Sequence, residues 1–397
     1  MTNLPQGWEV KKLEEIANIK GGKRLPKGEN LLDNNTKFAY IRVADFQDNG
    51  TINLQNIKFI NENTYNVLKN YKIYDDNLYI SIAGTIGKSG IIPKELNGAI
   101  LTENAVKLEY IQNNISNKFM YFFTLSNIFK TQIQTSTKIV AQPKLAITRL
   151  KQIQIPLPPL KEQERIVGIL DESFAKIDES IKILEQNLLN LDELMQSALQ
   201  KAFNPLKDNA KENYKLPQSW EWKSLEEISE NISAGGDKPK NCTESKTAKN
   251  QIPVYANGVN NNGLVGYTDK ATIIKPSLTI SARGTIGFVC IRKEPYFPIV
   301  RLISLIPCEN ILCLHYLYFC LNFFIAKGEG SSIPQLTIPK FKSLQIPLPP
   351  LKEQEQIAEH LDFVFEKAKA LKELYTKELK DYEELKQSLL DKAFKGE

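Results

Sequence analysis

The chain has 397 residues, which leaves room for two to three domains. Hydrophobic residues make up 42% and charged residues 24%, too apolar for a disordered chain, and the net charge of +5 is too mild to assign a partner by itself. The five cysteines (Cys242, Cys290, Cys308, Cys313, Cys320) all fall in the second half, which argues against a disulfide framework and for reduced thiols in a cytoplasm. No basic segment followed by an apolar stretch opens the sequence, so no secretory signal is expected.

Taken in order, the chain is written twice. Leu4, Pro5, Gln6, Trp8 and Glu9 return as Leu216, Pro217, Gln218, Trp220 and Glu221, and Leu13-Glu14-Glu15-Ile16 returns as Leu225-Glu226-Glu227-Ile228, both at an offset of 212 residues. Gly84-Thr85-Ile86-Gly87 returns as Gly284-Thr285-Ile286-Gly287. The stretch 153–164 returns at 344–355 with 11 of 12 residues identical and an offset of 191, and 196–203 returns at 387–394 with the same offset. The C-terminal part of each half therefore keeps a fixed length, while the second body is 21 residues shorter than the first.

Each body reads as mixed α and β, rich in strands. Segments 38–43, 77–82 and 277–281 carry the β-branched and aromatic residues of strands. The Gly-Thr-Ile-Gly segments read as tight turns between strands. Segment 82–89 has the outline of a phosphate loop, but Ile82 stands at its first glycine and Phe288 replaces the lysine in the copy, so a nucleotide site is not expected. The longest apolar run, 311–326, carries His315 and Asn322 and is short for a membrane span; it reads as a buried helix. Cys308, Cys313, His315 and Cys320 have no zinc-type spacing, so no metal is expected. Two histidines leave little material for acid–base catalysis.

The constant parts read as helices. Pro158-Pro159 stiffens the entry, and Lys161 to Phe203 holds no proline. Leu170, Phe174, Ile177, Ile181, Leu184, Leu188, Leu191, Met195, Ala198 and Ala202 alternate in steps of four and three, the seam of a coiled coil, with Asn204-Pro205 as the stop. The copy runs Leu361, Val364, Ala368, Leu371, Tyr375, Leu379, Tyr382, Leu385, Leu389. At about 1.5 Å per residue each helix is roughly 64 Å long. Two equal seams make each other's partner, and an antiparallel pairing would relate the halves by a pseudo-two-fold axis. The domains expected are a body at 1–155, a spacer helix at 156–204, a second body at 205–346 and a second spacer helix at 347–397.

Charge alternates with these segments. It is +6 over 1–150, −3 over 151–203, +4 over 204–341 and −2 over 342–397. A basic excess confined to two bodies is a better footprint of nucleic-acid contact than the mild total charge. Candidate phosphate contacts are Lys20, Lys23, Arg24 and Lys27 in a Gly/Pro loop, its counterparts Lys238 and Lys240, and Lys88, Lys138 and Lys144. Candidate base readers are Arg42, Arg283, Gln142, Gln335 and the cluster Asn257, Asn260, Asn261 and Asn262, since Asn and Gln pair with the adenine edge and Arg with guanine.

The twofold pattern, with Ile155 to Gln163 and Ile346 to Gln354 opening a long helix after each body, resembles the specificity (S) subunit of type I restriction-modification enzymes, the HsdS family. The resemblance spans essentially the whole chain, with the Leu-Pro-x-x-Trp entries and Gly-Thr-Ile-Gly turns in support. It implies an α+β fold of two target recognition domains joined by an antiparallel coiled coil. Each domain then reads one half of a bipartite site on double-stranded DNA. The helices set the spacing and dock two methyltransferase (M) subunits, which restriction/translocase (R) subunits join. It implies no catalysis by this chain; S-adenosylmethionine, ATP and Mg²⁺ belong to the partners. Three other readings stay open at this point: the specificity subunit of a related system whose partner fuses methylation and cleavage, a coiled-coil scaffold whose basic bodies bind protein, and a nuclease with an unrecognised site.

Overall fold

The computed structural model of the chain describes residues 4–136, 144–207, 217–325 and 336–397. It divides into two compact units, residues 1–184 with 377–397, and residues 185–376.

In the first unit the two kinds of repeated motif meet. Strand Glu9–Lys12, from the Trp-Glu entry, pairs antiparallel with Gln154–Leu157, from the proline-rich linker, with Glu9 opposite Leu157. A four-stranded antiparallel sheet follows in the order Ala17–Gly21, Ala105–Tyr110, Leu78–Ser81, Ser89–Ile91. A second sheet runs Lys58–Phe59, Ala39–Ile41, Ala99–Leu101, Lys72–Ile73, its central pair parallel. Helices Asn117–Leu125 and Asn127–Ser136 cover the first sheet. Its core joins Leu13, Ile80, Leu108, Phe119, Phe123 and Phe129 to Ile166 and Leu170 of the first long helix and to Leu390 and Phe394 from the end of the chain.

The second unit repeats the plan. Glu221–Ser224 pairs antiparallel with Gln345–Leu348, again with Glu221 opposite Leu348. The four-stranded sheet runs Ser229–Ala234, Ile303–Pro307, Ser277–Ile280, Val289–Arg292, which is the order of the first unit. The other sheet has three strands, Leu264–Thr268, Ile252–Tyr255 and Phe297–Pro298, where the first unit has four. The apolar run 311–326 forms helix Leu314–Phe324, with Tyr316, Leu317, Phe319, Cys320 and Leu321 buried.

The near-identical linkers have a structural cause. Gln163 is 1% exposed, accepts a hydrogen bond from the Ser116 amide at 2.9 Å and donates to the carbonyls of Asn114 (3.0 Å) and Pro158 (2.9 Å). Gln354 repeats the arrangement with the Cys313 amide (2.9 Å) and the carbonyls of Ile311 (2.9 Å) and Pro349 (2.8 Å). One amide side chain, which has both donors and an acceptor, thus fastens the body to the first turn of the helix in each half.

The long helices are Leu160–Lys207 and Leu351–Ala393. Within each unit their segments run in opposite directions. In the first, Ile166 and Leu170 share a core with Leu390 and Phe394, and further along Asp178 is ion-paired with Lys386. In the second, Asp192 is ion-paired with Lys372, and further along Leu199 and Phe203 share a core with Ala358 and Leu361. The first helix runs past Asn204-Pro205 to Lys207, because a proline in a last turn forfeits a single backbone bond. The seam also drifts. Leu170, Ile177, Leu184 and Leu191 are buried as expected, but Leu199 and Phe203 are more deeply buried than Met195, Ala198 and Ala202. An α-helix falls behind a 3.5-residue repeat, and Phe203 stacks against Tyr316 and Phe323. On the second helix Leu371 (39%) and Leu385 (44%) are exposed, against the expected stripe.

Candidate nucleic-acid interface

Strand polarity gathers the polar loops of each body at one end of its four-stranded sheet. In the first unit Gly21 lies opposite Val106, Ser81 opposite Ala105, and Ile80 opposite Ser89. The loop after Gly21, the 102–104 turn and the 82–88 turn therefore leave from the same edge. They are laced together: the Gly22 amide donates to Ala105 O (2.9 Å), the Lys23 amide to Leu101 O (2.9 Å), and the Ile82 amide to Asn104 O (2.8 Å). Gly22 is required there, since a Cβ would lie 2.1 Å from the Thr102 carbonyl oxygen. In the second unit Ala234 and Ile280 both face Ile303, and Ile280 faces Val289, which produces the same edge. Gly87 and Gly287 close the repeated turns alike, at φ of +88° and +82°, each amide donating to the carbonyl of Ser81 or Ser281.

Several candidate residues come together at the first edge. Lys23 lies with its ammonium 5.9 Å from the Tyr71 ring, Arg24 is exposed and paired with Glu103 at 2.7 Å, and Lys27 is exposed. Lys88 pairs with Asp48 at 2.8 Å. Lys144 is exposed and bridged to Ala83, and the next amide, Leu145, donates to Ile82 O at 2.9 Å. Burial works to raise the Glu103 carboxyl, but hydrogen bonds from Arg24, the backbone and Thr102 outweigh it and hold the group below the ordinary range. Exposed pairs of this kind are worth about 0–1 kcal/mol, so these cations are available for exchange onto phosphates.

Other candidates are placed differently. Lys20 sits in its strand, ion-paired with Glu109 at 2.6 Å. Arg42 is committed to the buried Asp45 (2.5 and 3.0 Å) and to Asn56 O (2.9 Å), where it closes a short turn. Lys138, Gln142 and Gln335 lie outside the described residues.

At the second edge Lys238, Lys240, Asn260, Asn261, Asn262 and Arg283 are exposed. Asn257 is half-buried, and both ends of its amide are used: Oδ1 accepts from the Ala282 amide (2.8 Å) and Nδ2 donates to Val300 O (2.6 Å). It is a bracket between loops. Asn261 and Asn262 lie in the left-handed region, at φ of +47° and +51°. They are backed by Arg292, which sequence reading missed. Its guanidinium stacks 3.5 Å from the Tyr255 ring centroid, donates to Thr279 Oγ1 (3.0 Å) and reaches Asn262 O (2.5 Å).

No cluster of His, Cys, Asp and Glu among the described residues has metal-binding geometry. His315 pairs with Asp362 at 2.6 Å, and Cys320 is buried, which pushes its thiol up. In the second unit a groove of about 590 Å³ lies between the long helices, lined by Leu194, Ala198, Ile357, His360, Leu361 and Val364. No helix among the described residues is long and apolar enough to cross a membrane.

The family model of the type I restriction modification DNA specificity domain matches residues 5–189 and 217–380. A putative type I specificity subunit of Mycoplasma pneumoniae is 29% identical over 88% of this chain and 87% of its own length. The EcoBI type I restriction enzyme specificity subunit of Escherichia coli is 29% identical over 50% of this chain and 42% of its own length. Among solved structures, a chain from a study of complex assembly and conformational transition in a type I R-M system aligns over 100% of both chains, with a TM-score of 0.81 and 20% identity. The HsdS subunit of Thermoanaerobacter tengcongensis aligns over 99% of this chain and 98% of its own, with a TM-score of 0.64 and 21% identity.

Proposed function

This chain belongs to the type I restriction-modification DNA specificity family, and from that premise we propose that it delivers sequence choice to a complex whose chemistry lies in other chains. Each body binds one half of a bipartite site on double-stranded DNA. One observation carries this reading: the same loop-bearing sheet end recurs in both bodies, with exposed cations at each and exposed amide side chains at the second. Lys and Arg there neutralise phosphates and fix register, and the amide and guanidinium side chains select bases.

The long helices set the number of unread base pairs and dock two methyltransferase subunits, which restriction/translocase subunits join. Exposed Leu189, Leu194, Phe363 and Leu374 in the second unit, of which Leu194 lines the inter-helix groove, suit protein contact, and the net negative charge of these segments disfavours DNA. The chain is non-catalytic by itself and acts in the cytoplasm; S-adenosylmethionine, ATP and Mg²⁺ bind the partner subunits.

Gel-shift titration tests the proposal. Sequence-selective retardation by the chain with its methyltransferase partner is expected, and purified chain with Mg²⁺ leaves DNA uncut. Absence of retardation under any condition, partner included, overturns it.

A further inference from the structure

Two adjacent residues at the second sheet end adopt a backbone that their side chains oppose. Val300 has φ of +53° and Arg301 of +59°. For a β-branched residue this is a true outlier, and such conformations persist only where the surroundings over-determine them. Here they do. The Val300 amide donates to Gly236 O (2.8 Å), the Arg301 amide to Gly235 O (2.9 Å), and Leu302 closes the turn on Ile299 O (3.0 Å). Asn257 clamps the remaining carbonyl, that of Val300, while its other end holds Ala282 (2.6 and 2.8 Å). Gly235 makes this approach possible, since a Cβ there would lie 2.6 Å from the Ile299 nitrogen.

This scaffold does not serve the core. Val300 is 52% exposed and Arg301 is also exposed, so the strained backbone directs both side chains to solvent beside the loops of the candidate interface. Arg24, Arg42, Arg165 and Arg292 are each bound to a protein partner, whereas Arg301 has none among the described residues. The fixed backbone sets where the Arg301 side chain leaves the fold, and its guanidinium fork matches the two acceptors of a guanine edge.

Resting on the DNA-reading proposal above, we propose that Arg301 is a base-specifying residue of the second body, which reads a guanine in its half-site, and that Asn257 is its positioning residue. The competing role, a phosphate contact, differs in what lysine does. Lys keeps a phosphate contact and loses the bidentate pair.

The test uses the full chain with its methyltransferase partners in a host cell, with methylated bases mapped across the host's chromosomal DNA. The unaltered chain must mark a bipartite motif; if it marks nothing, the DNA-reading proposal itself fails. With that motif in hand, Arg301→Lys and Arg301→Ala should each relax one G·C position of one half-site, by about 5- to 150-fold in preference. Every other position should be unchanged, as should the melting temperature of the chain. Asn257→Ala should relax the same position more weakly, which a merely structural residue would not do. An unchanged motif with Arg301→Lys overturns the proposal, and so does uniform loss of marking with both Arg301 variants at unchanged melting.

Discussion

Replacing Gln163 with leucine removes the fastener between the first body and its spacer helix while leaving volume nearly constant. Three hydrogen bonds disappear, those to the Ser116 amide, Asn114 O and Pro158 O. Asn114 lies at the surface, where water replaces the lost donor, but Pro158 is buried and Ser116 partly so. A lost bond costs about 1 kcal/mol, and a buried group left unsatisfied about 1–3 kcal/mol, so the change should destabilise this body by about 2–3 kcal/mol. In a unit of about 200 residues each kcal/mol lowers the midpoint by about 2–4 °C, which gives a fall of about 4–12 °C. Scanning calorimetry on the full chain reads this directly, and Gln354→Leu, with three equivalent bonds, should give a fall of similar size. A fall below about 2 °C for both variants would refute the account of why the linkers repeat.

Further outcomes follow from the same geometry. The paired change Lys238→Ala with Lys240→Ala, if both touch phosphate, should reduce the salt slope of DNA binding by about 2 and leave base preference intact, as measured by titration at several salt concentrations. Phe203→Ala should cost about 3–5 kcal/mol in thermal or denaturant unfolding, because the ring is 0% exposed and stacked on Tyr316 and Phe323. Burial raises the Tyr79 and Tyr316 hydroxyls well above their ordinary value, and each donates to a backbone carbonyl. Their neutral forms are favoured in the fold, so stability is fully present below about pH 10 and falls above it by about 1.4 kcal/mol per pH unit for each such tyrosine; melting scans from pH 9 to 11 check this. Inserting four residues near Asn187, about 6 Å of helix, should lengthen the unread spacer and leave both half-site sequences unchanged in a methylation map.

Much of this architecture was legible because the same physics is written twice. The Trp-Glu entries and the proline-rich linkers repeat together because they pair as strands, and the fixed 191-residue offset marks the two long helices, which start at equivalent positions. The 3.5-residue seam found the buried stripe along Leu170, Ile177 and Leu184; it missed where the first helix drifts toward Leu199 and Phe203, and on the second helix at Leu371 and Leu385, which are exposed. Side-chain roles were harder to read. Asn257 looks like its exposed neighbours in sequence, yet its amide is consumed by Ala282 and Val300, contacts set by strands far apart in the chain. Arg42 has the guanidinium of a guanine reader, but a buried Asp45 three residues on holds it. The Asn run ending at Gly263 consists of residues that tolerate left-handed backbone. Val300 and Arg301 gave no such signal, because their conformation comes from tertiary hydrogen bonds alone.

The division of labour between the two bodies is tested most directly by exchanging residues 1–155 for the corresponding body of another specificity subunit and mapping methylated bases in the host. The account predicts a bipartite motif in which one half takes the donor's sequence while the other half and the spacer stay as they were. A map in which both halves change together would contradict it.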